Sequence, residues 1–312
     1  MDTANPAATF LFGILANLAV FLLKKIQQFI TKKYLIKEMR KIRNILLASL
    51  ALCMCVACGS DDDGPERPGG LNLFSVNRDK ELGREVDMEI RNNPQTYPIL
   101  SSNQHPEAYE HLNRIRETLL NSGQVYFRDD FDWECKIIRD DNTLNAFATP
   151  GGYLYFYTGL IKYLENERDF AGVFGHEIAH SDRRHSTQRL TKQFGVAVLL
   201  SFLLGNEPGL LAEIANAALT LSFSRADERE ADEFSVIYLD PTEYQGNGAA
   251  GFFEKLEREG QSSDVPEFLS THPSPDNRVE SINRKWQEMG GRPGAEGDPF
   301  VNRYRDFQNS LP

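Results

Sequence analysis

Five residues, His176-Glu177-Ile178-Ala179-His180, restrict this chain more than any other feature. Residues four apart on an α-helix differ by about 40° in azimuth, so the two imidazoles share one face, a turn apart. Two ring nitrogens so placed suit a single tetrahedral Zn²⁺. Glu177 is held beside that position without having to ligate, where it can take a proton from an attacking water. The alternative is two ordinary histidines on an amphipathic helix, and a third ligand decides between the two.

Three candidates for that ligand exist. An extended motif with glycine seven and histidine ten residues after His176 is excluded, because Arg183 and Ser186 stand at those places. His185 falls about 900° around a continuous helix from His176 and hence on its opposite face, which makes it a surface or outer-layer residue. The third lies in Ser224-Arg225-Ala226-Asp227-Glu228-Arg229-Glu230-Ala231-Asp232. Glu228 and Asp232 share a face at i, i+4. A second helix can present Glu228 as the carboxylate of a His₂Glu site, with Asp232 accepting the free N–H of a ligating histidine. The alternative for this charge-dense stretch is a solvated acidic face, the role expected of Glu230 and Glu233.

The surrounding pattern is mainly helical with a small sheet. Leu82, Val86 and Ile90 recur every four residues within Val76 to Arg91, a helix, and a second helix fits 107–120. Phe131 to Ile138 and Gly152 to Tyr157 are rich in aromatic and β-branched residues and read as strands. The run Tyr153-Leu154-Tyr155-Phe156-Tyr157 is expected as a sheet strand rather than a binding platform. From 159 to 289 the chain reads helical, with breaks at Gly205–Pro208, near Asp240-Pro241 and at His272–Pro275. Phe194 to Leu204 and Leu210 to Leu221 are apolar but, at 11 and 12 residues, too short to span a bilayer. They read as core helices or as a lid over a cleft.

Charge divides the chain. Residues 1–57 hold eight Lys/Arg against two acids, and residues 58–312 hold 26 against 43, giving +6 and −17 and the overall −11. An acidic body lacks the basic footprint a nucleic-acid partner needs. Ala7 to Leu23 is an apolar stretch of 17 residues, at the lower limit of a spanning helix. Ile45 to Ala57 follows Arg40, Lys41 and Arg43 and ends in small residues before Cys58, the order of a secretory signal. Met54-Cys55-Val56-Ala57-Cys58-Gly59-Ser60 resembles a bacterial lipobox with Cys58 as the lipidated residue. The expected organisation is therefore a misassigned extension or membrane anchor over 1–38, a lipoprotein signal peptide over 39–57 and a flexible acidic tether over 58–72. A catalytic domain over 73–290 and a tail over 291–312 follow. Cys135 then stands alone in an apolar strand, so no disulfide framework is implied.

Five blocks in order carry a resemblance. They are Asn145 to Gly152, His176 to His180, Ser224-Arg225 with Glu228, Ala231-Asp232, and Thr271-His272-Pro273 with Arg278. They resemble the zinc metallopeptidase family M48, which holds the CAAX prenyl endoprotease, the HtpX heat-shock protease and soluble periplasmic relatives. The resemblance covers roughly 76–285; no tetratricopeptide extension follows residue 290, and the multi-span membrane segments of integral members are missing. It implies an α+β gluzincin fold, one Zn²⁺ per chain on His176, His180 and Glu228, and Glu177 as base. It also implies that Asn145, Ala146 and the strand they open offer backbone groups to an extended peptide. His272 would sit at the rim, donating to the oxyanion or swinging onto the metal as a fourth ligand. Arg278 would pair with an acid to hold that loop. The implied function is a lipid-anchored endopeptidase of the bacterial cell envelope acting on unfolded or misassembled envelope proteins. The alternative is a lipoprotein chaperone that binds clients with the same fold.

Overall fold

The computed structural model describes residues 65–203, 210–259, 266–273, 277–295 and 298–312. The apolar segment 7–23, the signal-like segment, Cys58, residues 58–64 of the expected tether and the break at 205–208 lie outside the described residues. Among the described residues, no helix is long and apolar enough to cross a membrane.

The chain runs α1 (Val76–Asn92), α2 (Pro106–Leu120), β1 (Glu134–Ile138), β2 (Ala146–Thr149), β3 (Tyr153–Tyr157), α3 (Thr158–Tyr163) and α4 (Glu167–Asp182). Then come α5 (His185–Leu203), α6 (Leu210–Leu219), α7 (Arg225–Leu239), α8 (Gly248–Arg258), α9 (Pro266–Thr271), α10 (Arg278–Glu288) and α11 (Asp298–Asn309). This is the mainly helical chain with a small sheet expected from the sequence. α1 begins where the Ser75 side chain accepts from Arg78 N, and it buries Leu82, Val86 and Ile90. The sheet has the order β1-β3-β2, with β1 parallel and β2 antiparallel to the central β3. The first strand starts at Glu134 rather than Phe131, because Trp133 adopts a φ of 42°, which a ladder cannot extend through. β2 returns into β3 through Pro150-Gly151-Gly152, and both glycines take positive φ, 77° and 93°, which residues with a Cβ rarely adopt.

β3 separates two cores. Its side chains alternate with period two. Tyr153, Tyr155 and Tyr157 face one apolar cluster with Leu82, Val86 and Ile90 of α1, Leu190 and Leu199 of α5, and Ile214 and Ala215 of α6. Leu154 and Phe156 face the other, built on α2, α4, α7, α8 and α11. The strand reading of the aromatic run therefore holds. The described part of the 194–221 region contributes buried side chains to the α1 side, the core alternative of the two expected. Residues 291–312, expected as a tail, instead carry α11, whose Tyr304 and Phe307 are fully buried in the second core. The end of the expected tether is also fixed. Arg183 donates to Glu66 O at 2.7 Å, and Gln188 Nε2 donates to Gly69 O at 3.0 Å.

α4 is buried all round, Arg168 alone among its residues reaching the surface, the mark of a central helix. Gly172 lets α8 approach so closely that a Cβ there would lie 1.9 Å from Ala249 N. One turn on, a Cβ on Gly175 would lie 2.8 Å from Leu239 and 3.0 Å from Ser235 Oγ of α7. Ser235 Oγ closes this seam by donating to Gly172 O at 2.7 Å. Gly172→Ala should lower the unfolding free energy by about 1–3 kcal/mol through overpacking against backbone, despite the better helix propensity of alanine. Gly69→Ala, with open space around it, should change it by under about 0.5 kcal/mol. Equal stability of the two variants in denaturant titrations would contradict the seam.

Candidate metal centre

α4 and α7 meet over the two imidazoles. α7 starts at a full capping box: Ser224 Oγ accepts from Asp227 N, and the Asp227 carboxylate accepts from Ser224 N. This cap fixes where the helix begins, so Glu228 and Asp232 fall on the face turned to α4. Glu228 Oε2 lies 3.4 Å from His176 Nε2, and Glu228 Oε1 lies 3.3 Å from His180 Nε2. The two Nε2 atoms are 3.0 Å apart. His272, expected at the rim, is instead fully buried among them. Its Nδ1 lies 3.0 Å from Glu228 Oε1 and 3.4 Å from His176 Nε2. The residue is drawn inward because Phe223 N donates to Thr271 O at 3.1 Å and the Phe268 ring stacks on the imidazole at 4.7 Å.

The donor atoms of His176, His180, Glu228 and His272 thus lie within 4.8 Å of one another. Four N and O donors placed tetrahedrally at about 2.0–2.1 Å from one ion stand about 3.3 Å apart. The contacts His176–His180, His176–Glu228, His180–Glu228, His272–Glu228 and His272–His176, at 3.0–3.4 Å, lie near that value. Charge points the same way. Glu177, Glu228 and Asp232 are buried carboxylates, and Arg278 is the buried cation packed against Asp232 and Glu228. With neutral histidines this set carries −2, which a divalent cation cancels. The residues present therefore fit a divalent metal.

The outer contacts orient the donors. Asp232 Oδ1 accepts from His176 Nδ1 at 2.9 Å, which leaves the Nε2 lone pair turned inward. Asp232 is in turn gripped by Arg278, whose Nε donates at 2.7 Å and second nitrogen at 2.8 Å, a bidentate pair. Arg278 also reaches Glu228 Oε2 at 3.1 Å and lies over the Phe253 ring at 4.1 Å. It therefore ties both acids of α7 to α10, more than the loop pairing expected of it. Phe223 stacks on His180 with centroids 3.9 Å apart, a shield that nothing in the sequence marked beyond its place just before the Ser224 cap.

Electrostatics separates the groups by role. Burial pushes the His176 imidazolium down, but Asp232 and Glu228 outweigh it and lift the pKa to about 9. Burial holds His180 well below its ordinary value. Burial also acts to raise Glu228, yet His272, His180 and His176 outweigh it and keep the group anionic. Glu177 is raised by burial. Both of its oxygens lack a hydrogen-bond partner, and Oε1 lies 3.6 Å from His272 Nε2. The Cys135 thiol, buried and pushed up to about 12 by that burial, offers no competing nucleophile or ligand.

Two expectations need correction. α4 ends at Asp182, and Arg184 takes a φ of 61°, so His185 does not lie on a continuous helix. It opens α5, buried, with Nδ1 only 3.0 Å from His180 Nδ1. Glu230, expected as a solvated acid, accepts from Arg183 Nε at 2.7 Å and lies 3.4 Å from His185 Nε2. His185 and Arg183 hold its carboxyl down at about 2. Asn145 and Ala146 are buried. Asn145 O accepts from Tyr157 N at 3.1 Å, and Asn145 Oδ1 accepts from Ala146 N at 2.9 Å. Antiparallel alternation then turns Ala146 O and both backbone groups of Ala148 to the outer edge of β2.

A family model described as Peptidase family M48 matches residues 106–285. The chain is 34% identical over 216 residues to the mitochondrial metalloendopeptidase OMA1 of Schizosaccharomyces pombe, covering 68% of this chain and 62% of that protein. It is 31% identical over 271 residues to the beta-barrel assembly-enhancing protease of Escherichia coli, covering 80% and 54%. To the Yersinia pestis protein of the same name it is 27% identical over 281 residues, covering 82% and 55%. The chain therefore spans between about half and three fifths of the length of these relatives. The matched segment holds α2 through most of α10 and every residue of the His176 cluster. With more than half of its length matched, and the His176 helix seated on the Glu228 helix, the chain belongs to peptidase family M48.

Proposed function

We propose that this chain is a zinc-dependent endopeptidase. One observation carries the reading: three imidazoles and a carboxylate whose donor atoms lie within 4.8 Å of one another, next to a buried carboxylate that hydrogen-bonds nothing. His176, His180 and Glu228 would hold a Zn²⁺, which would supply Lewis acidity toward a peptide carbonyl and an attacking water. Glu177 then has the role of general base. Burial raises its pKa toward the range in which it can accept a proton and later release it to the leaving amine. His272 would be the fourth donor of a resting form. On withdrawal its imidazole would be free to donate to the developing oxyanion. A peptide lying along the outer edge of β2 pairs with Ala146 O and Ala148 as an added strand.

The name of the Escherichia coli and Yersinia pestis relatives, beta-barrel assembly-enhancing protease, supports substrates connected with β-barrel assembly. We place the enzyme in the bacterial cell envelope, tethered by a lipidated Cys58, with unfolded or misassembled envelope proteins as its substrates.

Glu177→Gln should keep zinc but cut the hydrolysis of casein by at least about 10²–10⁴-fold; retained turnover would remove Glu177 as the base. Glu228→Ala should lose the metal after dialysis, and elemental analysis finding unchanged zinc would put the third ligand elsewhere. Chelation should also lower the melting temperature, because zinc at a hundred times its Kd adds about 2.7 kcal/mol to the folded state. An unchanged melting temperature would contradict metal binding at the buried cluster.

A further inference from the structure

The two histidines of α4 are not supported alike. His176 Nδ1 faces a carboxylate directly, Asp232 at 2.9 Å. His180 Nδ1 faces another imidazole, His185 Nδ1 at 3.0 Å, while its acid neighbour Glu228 lies on the Nε2 side. A contact of two imidazole nitrogens at this distance needs one proton between them. Whichever ring supplies it fixes the other's tautomer. If His185 donates, His180 must carry its proton on Nε2, which points at His176 Nε2 and Glu228 and cannot ligate. If His180 donates, its Nε2 lone pair is free, and His185 must hold its own proton on Nε2. That nitrogen is buried, makes no hydrogen bond, and lies 3.4 Å from Glu230 Oε2, within ionic range. Glu230 is in turn held by Arg183 Nε at 2.7 Å, and Arg183 is tied to Glu66 O at 2.7 Å. The acid at the end of this chain favours the proton on the nitrogen of His185 that faces it.

We infer that His185 is a positioning residue for the metal centre. With Glu230 behind it, His185 holds His180 in the tautomer that ligates, an imidazole relay where His176 has a direct carboxylate. This rests on the reading of the His176 cluster as a zinc site. Outer partners of ligating histidines typically change metal affinity by 10–100-fold. The relay also runs outward to Arg183 and the backbone at Glu66, so the ligand's orientation is linked to the segment that leads into the domain.

The experiment measures zinc affinity of the full chain by competition with a chromogenic chelator. His185→Phe removes the acceptor and keeps a ring beside Phe223. His185→Asn keeps an acceptor oxygen near the place of Nδ1. The expected result is a 10–100-fold loss for His185→Phe with most of the affinity recovered in His185→Asn. Equal affinity of wild type and His185→Phe, or equal loss in both variants, overturns the inference. Nitrogen-15 spectra of the zinc-loaded wild-type protein serve as the second readout if a variant fails to fold. His180 protonated on Nδ1 and His185 on Nε2 support the relay, and His185 protonated on Nδ1 overturns it. Wild-type protein that binds no zinc would refute the metal site itself, an outcome distinct from failure of the relay.

Discussion

The close seat of α7 on α4 is the constraint from which the rest follows. Two helices can share one small ion only if their backbones come near enough for short side chains to converge. Gly172 and Gly175 remove the side chains that would hold α8 and α7 away, and Ser235 ties the seam to a backbone carbonyl of α4. Glu228 and Asp232 lie on the same face of α7 as Ser235, two turns and one turn earlier respectively. The contact that stabilises the core is therefore also the one that sets the carboxylate within 3.3–3.4 Å of both imidazoles.

Convergence creates an electrostatic cost. Three carboxylates and three imidazoles are withdrawn from water, and an unbalanced buried charge costs several kcal/mol per ion. Arg278 offsets part of this through its two-pronged grip on Asp232 and its contact with Glu228. The residual −2 makes the cluster a site for a divalent cation rather than a structural ion pair. Glu177 supplies one of those charges with its oxygens unpartnered, and an orphaned buried carboxylate is unfavourable for stability alone. Under the proposed mechanism, its position is the cost of keeping a base next to the bond to be cut.

Much of this arrangement was legible in the chain. Spacing alone put His176 and His180 on one face, and the i, i+4 pair Glu228 and Asp232 on another helix. The Leu82, Val86, Ile90 repeat gave α1. What was not legible depended on single backbone dihedrals or on distant packing. Helical azimuth sent His185 to the far side because it assumed that the helix continued, whereas the positive φ at Arg184 turns the chain back. Trp133 shortened β1 in the same way. Glu230 looked solvated because its partners, Arg183 and His185, are 47 and 45 positions away in sequence. The Asp298–Asn309 helix looked like a tail because its apolar residues find their core only in three dimensions. The lipid anchor expected at Cys58 lies outside the described residues.

X-ray absorption at the zinc edge of the loaded protein tests the centre most directly, since it reads the donor atoms themselves. The expected spectrum has four nitrogen or oxygen neighbours at about 2.0–2.1 Å, with the multiple scattering of imidazole rings and no heavier scatterer. A sulfur shell at about 2.3 Å, or six oxygen neighbours without imidazole scattering, would contradict it.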